Sequence, residues 1–345
     1  CYKKLNMSKK NSSVNLKNGF KNFKDLSKIF LNFQDKLKIM NNKSYVVAVS
    51  GGPDSLALAA LTKAYTFLKN IKFYYVLIDH NIRKNSDKEA QKVKKLLKKK
   101  NIPLKIFLNK RKITQNIQAN ARITRYDLLC EYCKKKNVKT ILTAHNLEDQ
   151  VETFFIRLSR GSGLRGLSSM RPLTKIDNKV NLYRPLLDIK KKFLKKISKN
   201  VFGKYLKDPS NSDTKYLRSR VRNLKKSLEK SGVKYDQIYK SIQNLSYSRV
   251  TLDEYFNRIF KKTIKKEKDE ILINFKKYQN LSKDIKMALI NESIKKLKKN
   301  YYDSRSKKVD NLINNLNKKG FKKATLGGCI FFKKGKNLRL KAEKS

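Results

Sequence analysis

Between residues 45 and 145 the chain alternates short apolar segments with longer amphipathic ones. The apolar segments are YVVAVS, FYYVLIDH, LKIFLN and TILTAH, and each has the length and composition of a β-strand. Between them, stretches such as SLALAALTKAYTFLKN and SDKEAQKVKKLLKKKN carry apolar residues at helical spacing. Continuous apolar strands that alternate with helices are typical of a sheet covered on both faces. We therefore expect an α/β fold with a doubly wound parallel sheet.

The pattern changes on either side of this region. Residues 1–22 are polar and basic and predict a disordered tail. From residue 231 the chain is lysine-rich and mainly helical, and it closes in KKATLGGCIFFKKGKNLRL, whose glycines and apolar runs predict a small β hairpin. These boundaries predict a catalytic α/β domain over residues 23–230 and a basic, mainly helical module over residues 231–345.

The net positive charge of the chain indicates which kind of molecule it binds. The chain has 85 Lys and Arg against 27 Asp and Glu, a formal net charge of +58. This excess attracts polyanions and favours a nucleic-acid partner, although lysine-rich solvated helix faces also contribute to it. Because no apolar run approaches the ~20 residues that span a bilayer, and no signal-peptide block is seen, we expect a cytoplasmic protein with no membrane partner.

The first apolar segment ends in a turn suited to phosphate, SGGPDS. Gly51 and Gly52 permit positive φ and a close backbone approach to an anion, and the helix that follows points its positive end at the same place. Leu56 follows Ser55 and no lysine is present in the turn, so this is not a Walker A loop. A carboxylate beside phosphates needs a cation, and Mg²⁺ at Asp54 supplies it. The predicted nucleotide-binding residues of the turn are Ser50, Gly51, Gly52, Pro53, Asp54 and Ser55.

Ser-Gly-Gly-x-Asp-Ser after a first strand resembles the signature of the PP-loop ATP pyrophosphatases. The resemblance implies cleavage of ATP between its α- and β-phosphates. A substrate oxygen is first adenylated, and a nucleophile then displaces AMP.

Further segments resemble the tRNA(Ile)-lysidine synthetases within that superfamily, namely IDHNIRKNSDKEA, IQANARITRYDLL, TAHNLEDQVETFFIRLSRGSGLRG, YRPLLDIKK and DPSNSDTKYLRSRVRN. The matching residues are Asp79, His80, Arg83, Arg122, Arg125, Tyr126, His145, Asp149, Gln150, Glu152 and Thr153. Two positions depart from the family pattern. Glu148-Asp149 stands where the family usually has two aspartates, and Arg218-Ser219 stands where it has Arg-Asn, which leaves the phosphate-contacting residue open among Arg218, Arg220 and Arg222.

The expected roles follow from the chemistry of these side chains. Asp54 and Asp149, at the tips of the first and fourth strands, are the predicted Mg²⁺ ligands. The predicted neutralisers of charge on the α-phosphate and pyrophosphate are Arg122, Arg125 and Arg218. His80 and His145 are further predicted nucleotide-binding residues.

The resemblance also implies the reaction and the partners. ATP adenylates the C2 oxygen of the wobble cytidine in a CAU-anticodon tRNA(Ile), and the ε-amine of free L-lysine then attacks C2 and expels AMP. Asp127 and Glu152 are candidate contacts for the lysine ammonium groups. Family members are often dimeric, so a homodimer is possible.

Two other interpretations stay open. Cys130-x-x-Cys133 fits a tRNA thiolation enzyme of the 2-thiocytidine type, in which cysteines carry sulfur or ligate a metal. The same i, i+3 spacing also fits the buried face of a helix. The remaining interpretation is an RNA-binding protein without catalysis, which the acidic pair Asp54 and Asp149 disfavours.

Overall fold

The computed structural model describes residues 24–82, 85–110, 115–206, 213–298 and 306–343. The predicted tail over residues 1–22 and the family-matching Arg83 lie outside these ranges. The chain divides into two compact units, Cys1–Ser246 and Tyr247–Ser345. In the described ranges, no helix combines the length and apolar character needed to cross a bilayer.

The first unit contains a six-stranded sheet in the order β3-β2-β1-β4-β6-β5. All neighbours in it are parallel except β5, which runs antiparallel to β6 at the edge. The predicted parallel sheet is confirmed, and β5 and β6 extend it. The strands are β1 Ser44–Ala48, β2 Lys72–Asp79, β3 Leu104–Leu108, β4 Thr140–Leu142, β5 Leu173–Lys175 and β6 Asn181–Tyr183.

Helices connect and cover these strands. The helices that lie within the first unit are α1 Lys24–Met40, α2 Pro53–Thr66, α3 Ser86–Lys98, α4 Ile117–Lys135, α5 Leu147–Leu158, α6 Leu164–Leu167, α7 Lys191–Phe202, α8 Leu217–Asn223 and α9 Lys225–Lys230. A long helix, α10 Tyr235–Thr263, begins in this unit and continues into the second.

Both faces of the sheet are buried, which explains the continuous apolar strands. In β1, Tyr45 and Val47 belong to a core that includes residues of α1, α2, α3 and α7. Val46 belongs to the opposite core, with Leu129 and Cys133 of α4. Successive strand side chains point to opposite faces, so a strand covered on both sides has no polar alternation.

The strand order changes direction between β1 and β4. From β1 the chain winds outward through β2 and β3, and it then returns to place β4 on the other side of β1. In open α/β sheets this change of direction leaves a crevice beyond the carboxyl ends of the two strands. Two of the predicted motifs begin at these strand ends, at Ser50 after β1 and at His145 after β4.

The second unit is helical with an antiparallel sheet. The sequence predicts a terminal hairpin; the structure has that hairpin as β10 and β11 within a sheet of order β7-β8-β11-β10-β9. Its core includes Ile271, Phe331 and Leu340 of the sheet with Leu289 and Ile294 of a covering helix. After α10 its elements are β7 Ile264–Glu267, β8 Glu270–Asn274, α11 Phe275–Gln279, α12 Lys283–Leu297, α13 Ser306–Leu316, β9 Lys323–Leu326, β10 Cys329–Lys334 and β11 Asn337–Ala342.

The turn after β1 requires glycine at position 51. Gly51 has φ +83°, in the left-handed region that favours glycine. A Cβ there would lie 2.5 Å from Cγ2 of Val93 and 3.1 Å from Cδ1 of Leu206. The Gly51 carbonyl also accepts a hydrogen bond from the Leu206 backbone N–H at 3.0 Å. The turn is therefore packed between α3 and the segment after α7, with no space for a side chain.

Gly51→Ala is expected to destabilise the protein more than the matched change Gly203→Ala. Gly203 also has positive φ, +75°, but, its chain neighbours aside, no atom of the described residues lies within 4 Å of a Cβ built there. Gly203→Ala therefore measures backbone strain alone, about 1–2 kcal/mol, whereas Gly51→Ala adds a steric clash. The measurement is the free energy of unfolding in urea for the two variants, and equal losses would contradict the packing described for the turn.

Candidate active site

The phosphate turn is shaped by its serines and by the start of α2. The Ser55 hydroxyl accepts from the Ser50 backbone N–H at 3.1 Å and donates to the Gly52 carbonyl at 3.0 Å. Gly52 caps α2, whose first residue is Pro53. Ser55 is buried whereas Ser50 is exposed. Ser55 therefore holds the turn, and the Ser50 hydroxyl is the more accessible to a ligand.

Asp54 lies in the first turn of α2 and is short of partners. Its Oδ2 is 3.5 Å from Nζ of Lys191, and its buried Oδ1 has no hydrogen-bond partner among the described residues. Burial raises the pKa of Asp54 to about 6; Lys191 opposes this shift, whereas the negative charges of Asp149 and Glu148 add to it. A cation at this carboxylate would relieve both the orphaned oxygen and the repulsion between the carboxylates.

Asp149 is fixed at the start of α5 by a reciprocal cap. Its backbone N–H donates to Oδ1 of Asn146 at 3.0 Å, and its Oδ2 accepts from the Asn146 backbone N–H at 3.1 Å. The cap fixes the direction of a carboxylate whose charge reaches Asp54. The described residues contain no group of three or more His, Cys, Asp or Glu that could hold a metal ion. Two carboxylates suit Mg²⁺ only if phosphate and water complete its shell, which is the usual arrangement for this ion.

Glu148, at the position where the family usually has aspartate, connects two helix starts. Its Oε2 accepts from the backbone N–H of Lys191, the first residue of α7, at 2.8 Å. Its Oε1 lies 3.5 Å from Nζ of Lys225. The longer side chain thus contributes to the join between α5 and α7.

His145 follows β4 and is surrounded by arginines. Its Nδ1 lies 2.9 Å from the Thr143 hydroxyl. Burial lowers the pKa of His145 to about 3; Asp149 opposes the shift, whereas the positive charges of Arg184, Arg122 and Arg218 add to it. The imidazole is therefore neutral at physiological pH, and the arginines supply the positive charge on this side of the crevice.

His80 and Arg125 meet at the tip of β2. Nε2 of His80 accepts from Nε of Arg125 at 3.4 Å, and within the described part of the chain its buried Nδ1 has no hydrogen-bond partner. Burial, together with the charge of Arg125, lowers the pKa of His80 to about 4, against the influence of Asp79. Arg122, one turn earlier on α4, lies over the Tyr126 ring at 4.9 Å. Helix α4 therefore carries Arg125, which contacts His80 at the tip of β2, and Arg122, whose charge acts on His145 after β4.

The three arginines of α8 occupy different places. Arg222 binds Glu152 through two hydrogen bonds of 2.7 and 3.0 Å. Arg218 has its Nε 3.1 Å from the same carboxylate and donates to the Thr153 hydroxyl at 3.1 Å. Arg220 is exposed and, among the contacts of the described residues, reaches the Thr214 carbonyl at 3.5 Å. The charge of Arg218 reaches His145, whereas Arg222 is bound to Glu152 and its charge reaches Asp149 and Asp54.

Glu152 is unsuited to bind a lysine ammonium group. It is 2% exposed, and both of its oxygens accept from Arg222. The sequence makes Glu152 and Asp127 equal candidates; in the structure Asp127 is exposed on α4 and Glu152 anchors α8.

Side chains of α5 hold the loop over residues 160–169 in place through hydrogen bonds to its backbone and to that of Met170. Gln150 exchanges two 2.8 Å hydrogen bonds with the backbone of Met170. Arg157 donates to the carbonyls of Gly166 and Ser169 at 2.7 and 2.9 Å. These bonds fix the base of the loop while Gly161 and Gly163 stay exposed.

The two cysteines of the Cys-x-x-Cys pair are core residues. Cys133 is 0% exposed and packs with Val46, Ile141 and Leu182. Burial raises the pKa of Cys130 to about 11 and that of Cys133 to about 12. Both are free thiols, and a sulfur carrier or metal ligand needs the thiolate. The pair therefore belongs to the helix core.

Neither Asn146 nor Arg184 nor Lys191 is singled out as a site residue by the sequence motifs. Asn146 has a readable signal, because Asn followed three residues later by Asp precedes an apolar helix. Arg184 is buried beside the loop and donates to the Arg171 carbonyl and the Thr174 hydroxyl at 2.7 and 2.9 Å. Lys191 has no local signal, since it reaches the phosphate turn only through the packing of α7 on α2.

Comparison with known proteins identifies the family. A family model described as a PP-loop domain matches residues 23–228. A tRNA(Ile)-lysidine synthase of Wolbachia pipientis wMel is 32% identical over 326 residues, which cover 93% of this chain and 75% of that protein. The tRNA(Ile)-lysidine synthase of Orientia tsutsugamushi (strain Boryong) is 42% identical over 190 residues, covering 54% of this chain and 42% of that protein.

A solved structure gives a likeness of fold alone. The U34-tRNA thiolase NcsA from Methanococcus maripaludis aligns with a TM-score of 0.54 at 20% identity, over 64% of this chain and 78% of that one. The family match and the similarity to the Wolbachia protein agree with the phosphate turn, the carboxylates and the arginines of the site. The chain belongs to the tRNA(Ile)-lysidine synthase family of the PP-loop ATP pyrophosphatases.

Proposed function

We propose that this protein is a tRNA(Ile)-lysidine synthetase, a ligase that forms a carbon–nitrogen bond at the expense of ATP. It adenylates the C2 oxygen of the wobble cytidine in CAU-anticodon tRNA(Ile), and free L-lysine then displaces AMP. The observation that carries this is the convergence of the phosphate turn, Asp54, Asp149 and the arginines at the β1–β4 crevice, in a chain of this family.

ATP binds with its phosphates at the turn over residues 50–55. Backbone N–H groups and the Ser50 hydroxyl meet the phosphate oxygens, and the start of α2 adds its positive end. Asp54 and Asp149 are the residues that would hold Mg²⁺, an ion that usually completes its shell with phosphate and water. When bound, the ion offsets the repulsion between carboxylate and phosphate and withdraws charge from the phosphate oxygens.

The arginines act on the phosphorus that reacts. As the cytidine oxygen attacks the α-phosphate, negative charge grows there and on the departing pyrophosphate. Arg122 and Arg218 lie near His145, and Arg125 lies at the β2 tip, so they are placed to stabilise this charge. His145 stays neutral and adds no competing charge, although it can still form a hydrogen bond to phosphate.

The second step exchanges AMP for lysine. The free electron pair of the lysine ε-amine forms the new bond to C2. The C2–O bond breaks, AMP leaves with the electron pair of that broken bond, and the amine loses a proton. Asp127, exposed on α4, is the candidate contact for a lysine ammonium group.

The positive charge of the chain supports the RNA half of the reaction. Phosphate contacts from lysines and arginines hold an RNA without reading its sequence, and the wobble base must leave its stack to reach the crevice. A homodimer and a cytoplasmic location stay predictions.

The direct test is incorporation of radiolabelled lysine into a CAU-anticodon tRNA(Ile) transcript, with Mg·ATP present and AMP release followed in parallel. Lysine bound to the transcript, with an equal amount of AMP, is the expected result. A CAU-bearing tRNA(Met) transcript is the matched control and should accept little. Release of AMP without lysine incorporation would contradict lysidine synthesis while leaving the PP-loop chemistry intact.

Asp54→Asn is expected to lower lysine incorporation roughly 100-fold or more, because loss of a metal ligand costs several kcal/mol of charge stabilisation. The control is Asp35→Asn, which removes an exposed carboxylate of α1 that pairs only with Lys38 in the described contacts. Asp35→Asn should keep full activity. An Asp54→Asn variant with near-normal incorporation would overturn the role given to this carboxylate.

Replacement of the buried cysteines separates ligation from thiolation. Cys130→Ala and Cys133→Ala are expected to lower stability by about 1 kcal/mol each and to leave lysine incorporation per folded molecule unchanged, because neither thiol reaches the crevice. Activity and thermal unfolding are measured on the same samples. Loss of activity in a fully folded Cys133→Ala variant would revive the thiolation interpretation.

A further inference from the structure

The phosphate turn contains no lysine in sequence, yet the fold brings one to it. In the first turn of α2, the Asp54 carboxylate has Lys191 Nζ at 3.5 Å. Lys191 is the first residue of α7, far along the chain from the turn. A flexible ammonium group with three donors is a common partner of nucleotide phosphates.

The backbone of Lys191 is fixed on two sides. Its N–H donates to Glu148 at the start of α5. About two turns further along α7, the buried Ser198 hydroxyl donates to the Pro53 carbonyl at the start of α2. Leu194 and Ile197 of the same helix are buried in the core that contains α2. The position of this lysine beside the turn is therefore imposed by core packing.

The ammonium group is accessible and only loosely engaged. The Lys191 and Asp54 side chains are 26% and 22% exposed, so a ligand in the crevice can reach them. At 3.5 Å the pair is longer than a usual charge-assisted hydrogen bond, and Asp54 Oδ1 gains no partner from it. The ammonium group can therefore leave Asp54 at small cost when a stronger anion arrives.

The cations of the crevice fall into two groups. Arg122, Arg218 and Arg184 act on His145, beyond β4. Lys191 is the cation that acts most strongly on Asp54, at the turn beyond β1. The first group suits the α-phosphate that reacts, and Lys191 suits the phosphates that rest in the turn and leave as pyrophosphate.

We propose that Lys191 is the phosphate-binding lysine of this turn: it neutralises Asp54 before nucleotide binds and moves to the β- or γ-phosphate of ATP afterwards. The exchange frees Asp54 for Mg²⁺ at the moment when the phosphates arrive. This inference rests on the proposed use of ATP and assigns a residue to it.

The test compares equilibrium binding of ATP, pyrophosphate and AMP, each with Mg²⁺, to the full-length wild type and three variants. Lys191→Met removes the ammonium group, and Lys191→Arg keeps a positive charge. Lys192→Met is the matched control, because it removes the same charge from the next residue of α7, which is exposed and lies over the Phe193 ring. Thermal unfolding of each variant reports its folding.

Lys191→Met should weaken the binding of ATP and of pyrophosphate about 10- to 100-fold. This is the effect expected from the loss of one or two charge-assisted hydrogen bonds. AMP lacks the β- and γ-phosphates, so the affinity of Lys191→Met for AMP should stay within about twofold of the wild-type affinity. A change of that size is well below the effect of losing one hydrogen bond. Lys191→Arg should recover part of the loss, and Lys192→Met should bind all three ligands as the wild type does.

Three results would overturn the inference. They are unchanged affinity of Lys191→Met for ATP and pyrophosphate, an equal loss of AMP affinity, or an equal loss in Lys192→Met. Failure of the wild type to bind ATP would instead remove the proposed function itself, and the inference with it. Normal ATP binding by both the wild type and Lys191→Met would leave the proposed function standing and refute only the role of Lys191.

Discussion

The site depends on one unfavourable arrangement, a half-buried carboxylate at a place built for anions. Asp54 lies where the glycine turn and the start of α2 favour phosphate, with Asp149 and Glu148 near enough to raise its pKa. Lys191 offsets this only in part. Under the proposed function, a divalent cation and phosphates bound together would make the arrangement favourable. A carboxylate that is costly alone and useful with Mg·ATP is typical of a functional site.

Core packing makes this arrangement possible. The helices α2, α5 and α7 start close to one another, as shown by the hydrogen bond from Lys191 to Glu148 and the 3.5 Å contact between Lys191 and Asp54. The reciprocal cap of Asn146 and Asp149 orients the second carboxylate. Because helix starts attract anions, these three helix starts can accommodate their own acidic residues and, under the proposed function, the phosphates of ATP.

The sequence predicts the strands of the first sheet that are buried on both faces. Strands β1 to β4 are continuous apolar runs, so their pattern is strong, and the phosphate turn carries a local signature. The strands β5 and β6 read LTK and NLY, and neither is an apolar run, so no pattern marks them in the sequence. In the second unit, β7 reads IKKE and is exposed at three of four positions, so lysine-rich composition obscures its pairing.

The site residues divide in the same way. Asp54, His145 and Asp149 follow strand ends, where chemistry is expected. The roles of Glu152 and Lys191 depend on contacts between distant helices, and no local pattern predicts that one would bind Arg222 and the other Asp54. Family resemblance locates such residues in the chain without saying what they contact.

The most direct measurement is the stability of Asp54→Asn, without nucleotide, at pH 4 and pH 7.5. The folded-state pKa of Asp54, about 6, lies above its ordinary value of 3.8, so the stability present at low pH is lost as the pH rises through about 6. Asparagine resembles the protonated form. The account predicts that Asp54→Asn is more stable than the wild type at pH 7.5 and equal to it at pH 4, and that Mg·ATP stabilises only the wild type. A variant that is less stable at pH 7.5, and that still gains from Mg·ATP, would contradict it.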